Sequence, residues 1–311
     1  MGGKVKAMFE SVLVPVDFSE NSRAALSSVK DIPGVRKIVL LHVIYNRYPS
    51  RDKSVVDPAV RKAGEALDEM KTLIALPGVT VTPVVREISG GEISDTINRV
   101  ARELDISVIV MSRRGEGIIG TLLLGSVASD LVRYGERDLL LLPPSGIAGM
   151  NRGNIQAAVL PATTPSGLFD RVMVCTDFSD PEIAMLCLGF LPWIGRASLF
   201  HAVTSGSSAE EINEGVVQAT ARLGELQAAF VRHGIMADSK VVVGSAAEEI
   251  LAFSEQEDLS LILLKSLGKK SLINSLIGST SAPVARNARK PVLILKPPFG
   301  SAKDERRSRN E

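Results

Sequence analysis

Cysteine, histidine, net charge and long apolar runs are all scarce in this chain, and each scarcity removes a class of function. Only two cysteines, Cys175 and Cys187, occur in 311 residues. They fall in a predicted buried strand and a predicted helix, where a free thiol serves as a small hydrophobe rather than in redox or metal chemistry. Of the three histidines, His233 has no Cys or His at ligand spacing, which argues against a metal site there. Lys plus Arg number 36 against 35 Asp plus Glu, so no whole-chain field draws the protein to nucleic acid or to an anionic membrane. No apolar run approaches the ~18 residues needed to cross a bilayer. The first ten residues carry no apolar core followed by a small-residue cleavage site, so a cytoplasmic location is expected. Several reactive motifs are missing too. There is no Walker A pattern, no Ser-Gly-Gly phosphate loop after the first strand, and no Gly-x-Ser-x-Gly elbow with Ser, His and Asp in order.

What remains is an ordinary globular composition, 45% apolar and 23% charged, long enough for two domains. The chain also repeats itself. Val12-Leu-Val-Pro-Val-Asp17-Phe18-Ser19 returns as Val172-Met-Val-Cys-Thr-Asp177-Phe178-Ser179, and Lys37-Ile-Val-Leu-Leu-His42-Val43 as Arg196-Ala-Ser-Leu-Phe-His201-Ala202. Gly91 with the segment through Ile97 matches Gly244 with the segment through Ile250. Further on, Asp105 to Met111 matches Asp258 to Leu264, Gly125-Ser126 matches Gly278-Ser279, and Leu139 to Pro144 matches Val292 to Pro297. Six matches in one order establish a duplication.

Within the first copy, near-continuous apolar runs at 12–16, 37–43, 79–85, 106–111 and 138–142 read as strands buried on both faces of a parallel sheet. Helical periodicity fills the gaps, as at 58–76 and 93–104, and Ser19 and Ser179 stand where helix N-caps belong. Alternation of this kind predicts two tandem doubly wound α/β domains. Each is an open five-stranded parallel sheet of order 3-2-1-4-5 flanked by helices. The expected bounds are 8–144 and 170–298, joined by a Gly/Pro/Ser/Thr-rich linker at 145–169 and followed by a charged, disordered tail at 299–311.

Ligands of open α/β sheets bind beyond the strands' carboxyl ends, where the strand order reverses. Asp17 and Asp177 close the first strands at that place. The fourth strands run into Ser112-Arg113-Arg114-Gly115, nine residues and Gly125-Ser126 in one copy, and into Lys265-Ser266-Leu267-Gly268, nine residues and Gly278-Ser279 in the other. Glycines admit a phosphate close to the backbone, a helix start offers free N–H groups, and a carboxylate suits the hydroxyls of a ribose. Arg113, Arg114, Lys269 and Lys270 put positive charge beside these loops, as solvated charge or as phosphate contacts.

The combined pattern resembles the universal stress protein family over nearly the whole chain. The family's ATP-binding form carries Gly-x-x-Gly, nine residues and Gly-Ser/Thr, an Asp closing strand one, and a small apolar residue after the second-strand His. The resemblance implies a regulatory protein of stress response that holds ATP, alone or with Mg²⁺. It places Asp17 at the ribose, Val43 at the adenine pocket, and Gly115, Gly125 and Ser126 at the phosphates, with Pro15, Val16, Met111 and Ser112 in the same nucleotide site. The matching set in the second copy is Asp177, Ala202, Lys265, Gly268, Gly278 and Ser279. It also implies pairing of the two copies through their fifth strands and a homodimer of chains, with no nucleic acid or membrane partner.

The chain departs from the family's first loop glycine twice, with Ser112 and Lys265. Lys265 is the larger intrusion, so the first copy is the expected site. These departures also keep open a nucleotide-free scaffold of the same fold. A third reading is a catalyst, either an adenylating enzyme or an NAD-dependent dehydrogenase using Gly115-Glu-Gly117-Ile-Ile-Gly120. That fingerprint follows the fourth strand instead of the first and is absent from the second copy. With no nucleophile repeated beside His42 and His201, the expectation is a non-enzyme, at most a slow ATP hydrolase, in which both histidines make structural hydrogen bonds.

Overall fold

The computed structural model describes residues 9–46, 57–74, 76–115, 124–144, 167–178, 193–266 and 279–296. Residues 145–166 of the expected linker, the tail, Ser179, Cys187 and Gly117 to Gly120 lie outside them, as do Gly268, Lys269, Lys270 and Gly278.

In the first repeat the strands are β1 (Ser11–Pro15), β2 (Lys37–Tyr45), β3 (Thr80–Ile88), β4 (Val108–Ser112) and β5 (Asp138–Leu142). Between them run α1 (Glu20–Ser28), α2 (Pro58–Leu73), α3 (Ile93–Glu103) and α4 (Ser126–Tyr134). The second repeat contributes β6 (Arg171–Cys175), β7 (Arg196–Val203), α5 (Ala209–Arg232), β8 (Met236–Val243) and α6 (Ala246–Gln256). It ends with β9 (Leu261–Lys265), α7 (Ser281–Asn287) and β10 (Val292–Leu295).

Residue parity along the strands explains their near-continuous apolarity. Val12, Val14, Leu40, Val108 and Val110 pack on one face with Leu26 of α1 and Leu67 of α2. Leu13, Val39, Leu41, Ile109 and Leu141 pack on the other with Ile97 of α3 and Leu131 of α4. A strand covered on both faces has no polar side to present.

The strand order is β3-β2-β1-β4-β5-β10-β9-β6-β7-β8, so each repeat has the order 3-2-1-4-5 and the two five-stranded sheets fuse into ten strands. All pairs within a repeat are parallel. The seam is antiparallel, with Val292 opposite Leu141, Leu293 opposite Leu140 and Ile294 opposite Leu139. Each fifth strand therefore covers the other's edge with an apolar partner.

Local differences from the sequence reading have physical causes. Helix α2 stops at Leu73 rather than at 76, because Pro77 bars the α region to the residue before it and Gly78 turns the chain at φ +75°. Strand β3 runs on to Ile88 and carries Pro83, which is tolerated because β3 is an edge strand with one unpaired side. Among the described residues no helix is long and apolar enough to cross a membrane.

Candidate functional site

Strand β1 pairs with β2 on one side and β4 on the other, so the chain order reverses between β1 and β4. At the carboxyl ends of these strands lies a cavity of about 340 Å³, within the ~300–1,000 Å³ range of small-ligand sites. All nine first-repeat candidates, Pro15, Val16, Asp17, Val43, Met111, Ser112, Gly115, Gly125 and Ser126, line it.

Its floor and one wall are apolar, from Leu41 and Val43 of β2, Met111 of β4, and Ile93 and Ile97 one turn apart on α3. The opposite side is polar. Asp17 is half-buried, and its Oδ1 accepts hydrogen bonds from Ser19 N–H (3.1 Å) and Ser19 Oγ–H (2.6 Å). Ser19 in turn caps α1, accepting from Ser22 N–H at 3.2 Å. The carboxylate is thereby held by the helix it precedes. Its other oxygen faces Gly115, where a Cβ would overlap it, so any larger residue there would displace the Asp17 carboxylate. The turn is also strained. Phe18 sits at φ 64° and Phe178 at φ 58°, left-handed values that L-residues avoid. Each ring rests on the second-strand histidine at a centroid distance of 4.5 Å.

Those histidines serve the fold. His42 Nδ1 lies 2.7 Å from the Val16 carbonyl and His201 Nδ1 lies 2.7 Å from the Thr176 carbonyl. A carbonyl only accepts, so each Nδ1 carries the proton and donates.

Where β4 leaves the sheet, the chain is strapped twice: Arg113 N–H donates to the Leu142 carbonyl (3.0 Å), and Gly125 N–H donates to the Arg113 carbonyl (2.8 Å). Gly125 is the N-cap of α4 and brings no side chain to cap it, so the first-turn N–H groups of α4 stand at the cavity without a side-chain acceptor. Ser112 is buried and its Oγ accepts from Arg114 N–H at 3.4 Å, which turns the hydroxyl toward its own loop. Arg113 was read from sequence as a loop charge, solvated or on phosphate. It is only 4% exposed, and burial together with Arg114 lowers its pKa to about 10.

In the second repeat Asp177 is exposed, Ala202 half-buried and Ser279 exposed. Lys265 ends β9, beside β6 whose chain leads to Asp177. Burial lowers the Lys265 pKa, and attraction to Asp177 opposes that shift, so each carries charge within the other's field. Sequence reasoning missed Ile93, Ile97, Ser22, Leu41, Val127 and Ala128 as lining residues. The spacing of Ile93 and Ile97 at the start of a helix was the available signal. Among the described residues no group of three His, Cys, Asp or Glu side chains is placed to hold a metal.

A sequence model of the universal stress protein family matches residues 8–143 and 168–296. A universal stress protein of Synechocystis is 29% identical over 115 residues, 35% of this chain and 38% of that protein. The match thus spans well under half of that curated relative. Among solved structures, a universal stress protein from Archaeoglobus fulgidus superimposes with a TM-score of 0.68 at 25% identity, covering 93% of this chain and 98% of its own. A functionally unknown protein from Pseudomonas aeruginosa shares the fold at TM-score 0.64 and 17% identity, over 98% of this chain and 99% of its own.

Proposed function

This chain belongs to the universal stress protein family, and on that premise we propose that it is an ATP-binding regulatory protein whose nucleotide sits in the first-repeat crevice. One observation carries the reading. Nine residues singled out by motif, scattered from position 15 to 126, surround one cavity with a carboxylate on one side and an uncapped helix start on the other. Adenine stacks against Leu41, Val43 and Met111. The ribose hydroxyls donate to Asp17, and the phosphates take the N–H groups at Gly125 and Ser126 beside the bare backbone of Gly115. ATP binds alone or with Mg²⁺ carried on its phosphates.

The second repeat is the weaker site in this reading, because Lys265 already engages the field of Asp177. That pairing supports the scaffold alternative for the second repeat only. We assign the protein no catalytic turnover beyond slow ATP hydrolysis. His42 Nδ1 is committed to the Val16 carbonyl, which supports a structural role for it. Chain-level homodimerisation in the cytoplasm belongs to the same proposal. It must use a surface other than the fifth strands, which the two repeats occupy between themselves.

Calorimetric titration of ATP into the full chain tests the reading. The wild type is expected to bind one equivalent, and Gly125→Asp, which sets a carboxylate at the phosphate end, is expected to give no heat. A wild type that ignores ATP would transfer the assignment to the nucleotide-free scaffold. Light scattering at micromolar concentration checks the dimer, and a single-chain mass would remove it.

A further inference from the structure

A buried guanidinium with two of its donor nitrogens unpartnered is an unusual thing for a fold to keep. Arg113 is 4% exposed, and its Nε and Nη2 donors have no hydrogen-bond acceptor. Buried arginine ordinarily lies against a carboxylate or a set of carbonyls, since an unmet charged donor is among the most destabilising groups a core can hold. Among the described residues, the charge that shifts Arg113 is that of Arg114, of the same sign. Its pKa of about 10 still leaves it protonated at neutral pH. Its backbone cannot drift away, being strapped to Leu142 on one side and Gly125 on the other. Arg113 lines the cavity together with Gly125 and Ser126 at the N-terminus of α4, a nine-residue helix whose N-cap glycine supplies no side-chain hydrogen bond.

We propose that Arg113 is a specificity-determining residue which makes the first-repeat crevice require a multiply charged phosphate group. Arg113, Arg114 and the start of α4 all line the cavity, and among the described residues Arg113 Nε and Nη2 meet no acceptor. A ligand bearing several negative charges there supplies the missing acceptors to Nε and Nη2 in one step, and charge-assisted bonds of this type are the strong ones. A nucleoside fills the apolar end and leaves the cation unmet. The site therefore ranks ligands by phosphate charge, ATP above AMP above adenosine. This inference rests on the nucleotide reading for its base and sugar contacts but not for its anion.

The test compares the full-length wild type with Arg113→Met, which keeps the stem volume and removes the charge, and with Arg113→Lys. Three probes are used: ATP, adenosine and inorganic tripolyphosphate. Arg113→Met is expected to lower ATP affinity by ~10- to 100-fold, the loss of one charge-assisted contact, and to leave adenosine affinity unchanged. Without ligand it is expected to melt above the wild type, because no buried cation remains unpaired. Tripolyphosphate should raise the wild-type melting temperature and not that of Arg113→Met, with Arg113→Lys between. An unchanged ATP-to-adenosine ratio in Arg113→Met overturns the inference while the nucleotide reading stands. A wild type stabilised by tripolyphosphate but indifferent to ATP retains the anion role of Arg113 and removes the nucleotide reading. Indifference to all three probes ends both. Should Arg113→Met fail to fold, the side chain is structural and the inference is overturned unless Arg113→Lys folds and shows the reduced anion response.

Discussion

Asp138 and Lys296 tie the end of the second repeat to the start of β5 while both are buried as charges, and neutralising both together should stabilise the protein. Lys296 N–H donates to Asp138 Oδ1 at 2.8 Å, and Lys296 Nζ donates to the Val132 carbonyl at 2.7 Å, at the close of α4. Burial pushes the Asp138 carboxyl up to about 6, against the attractions of Lys296 and Arg137. Burial likewise pushes Lys296 down to about 8 against the attraction of Asp138. For Asp138 the folded pKa lies above the unfolded one, so its contribution is fully present below about pH 4 and is lost as pH rises through about 6. For Lys296 the folded pKa lies below the unfolded one, so its contribution is present above about pH 10 and is lost as pH falls through about 8. Between pH 6 and 8 both are charged, and each ionisation costs about 3 kcal/mol relative to the unfolded chain at 1.36 kcal/mol per pKa unit.

Asp138→Asn keeps an acceptor for Lys296 N–H, and Lys296→Met keeps the stem, so the double variant removes both charges with little change of shape. It gives up the Nζ bond to Val132, worth about 1 kcal/mol. The net expectation is a gain of about 1 to 3 kcal/mol at pH 7, shrinking below about pH 6 and above about pH 8. By the same accounting each single variant removes one ionisation cost and should also exceed the wild type at pH 7, by less than the double variant because the remaining charge loses its partner. Urea unfolding at several pH values, analysed as a double-mutant cycle, measures this. A double variant less stable than the wild type at pH 7, or a gain independent of pH, refutes the reasoning.

Two more outcomes are expected. Ser19→Ala removes the N-cap of α1 and the Oγ–H bond to Asp17 Oδ1 while keeping the backbone N–H bond, so it should lower stability by ~1 to 2 kcal/mol and weaken ATP binding; unchanged affinity in titration would separate Asp17 from the ligand. Cys175 is buried and its thiol is pushed well above the ordinary range, so in a Cys187→Ser chain a thiol reagent should react only as the protein unfolds in urea.

Much of the fold was legible because the signals are local. Runs such as Val12 to Val14 and Ile109 to Met111 are apolar on both parities, which only a doubly covered strand explains, and the duplication multiplied every such signal by two. Ser19 and the Asp-Phe-Ser turn could likewise be read from spacing. The positive φ of Phe18 could not, since propensity argues against it and only its packing on His42 makes it tolerable. The seam pair was also hidden. Asp138 and Lys296 are 158 residues apart, and nothing in either neighbourhood announces the other. In the site, glycine spacing led to Gly115 and Gly125, while Arg113 looked like any loop charge. Burial of a charged side chain depends on what the sheet and α4 place around it, which composition does not record.

The central claim is nucleotide in the first-repeat crevice, and mass spectrometry of the small molecules released from freshly purified protein tests it most directly. The account predicts about one adenine nucleotide triphosphate per chain, absent from Gly125→Asp. Protein that releases none, and that remains empty after incubation with ATP, would contradict it.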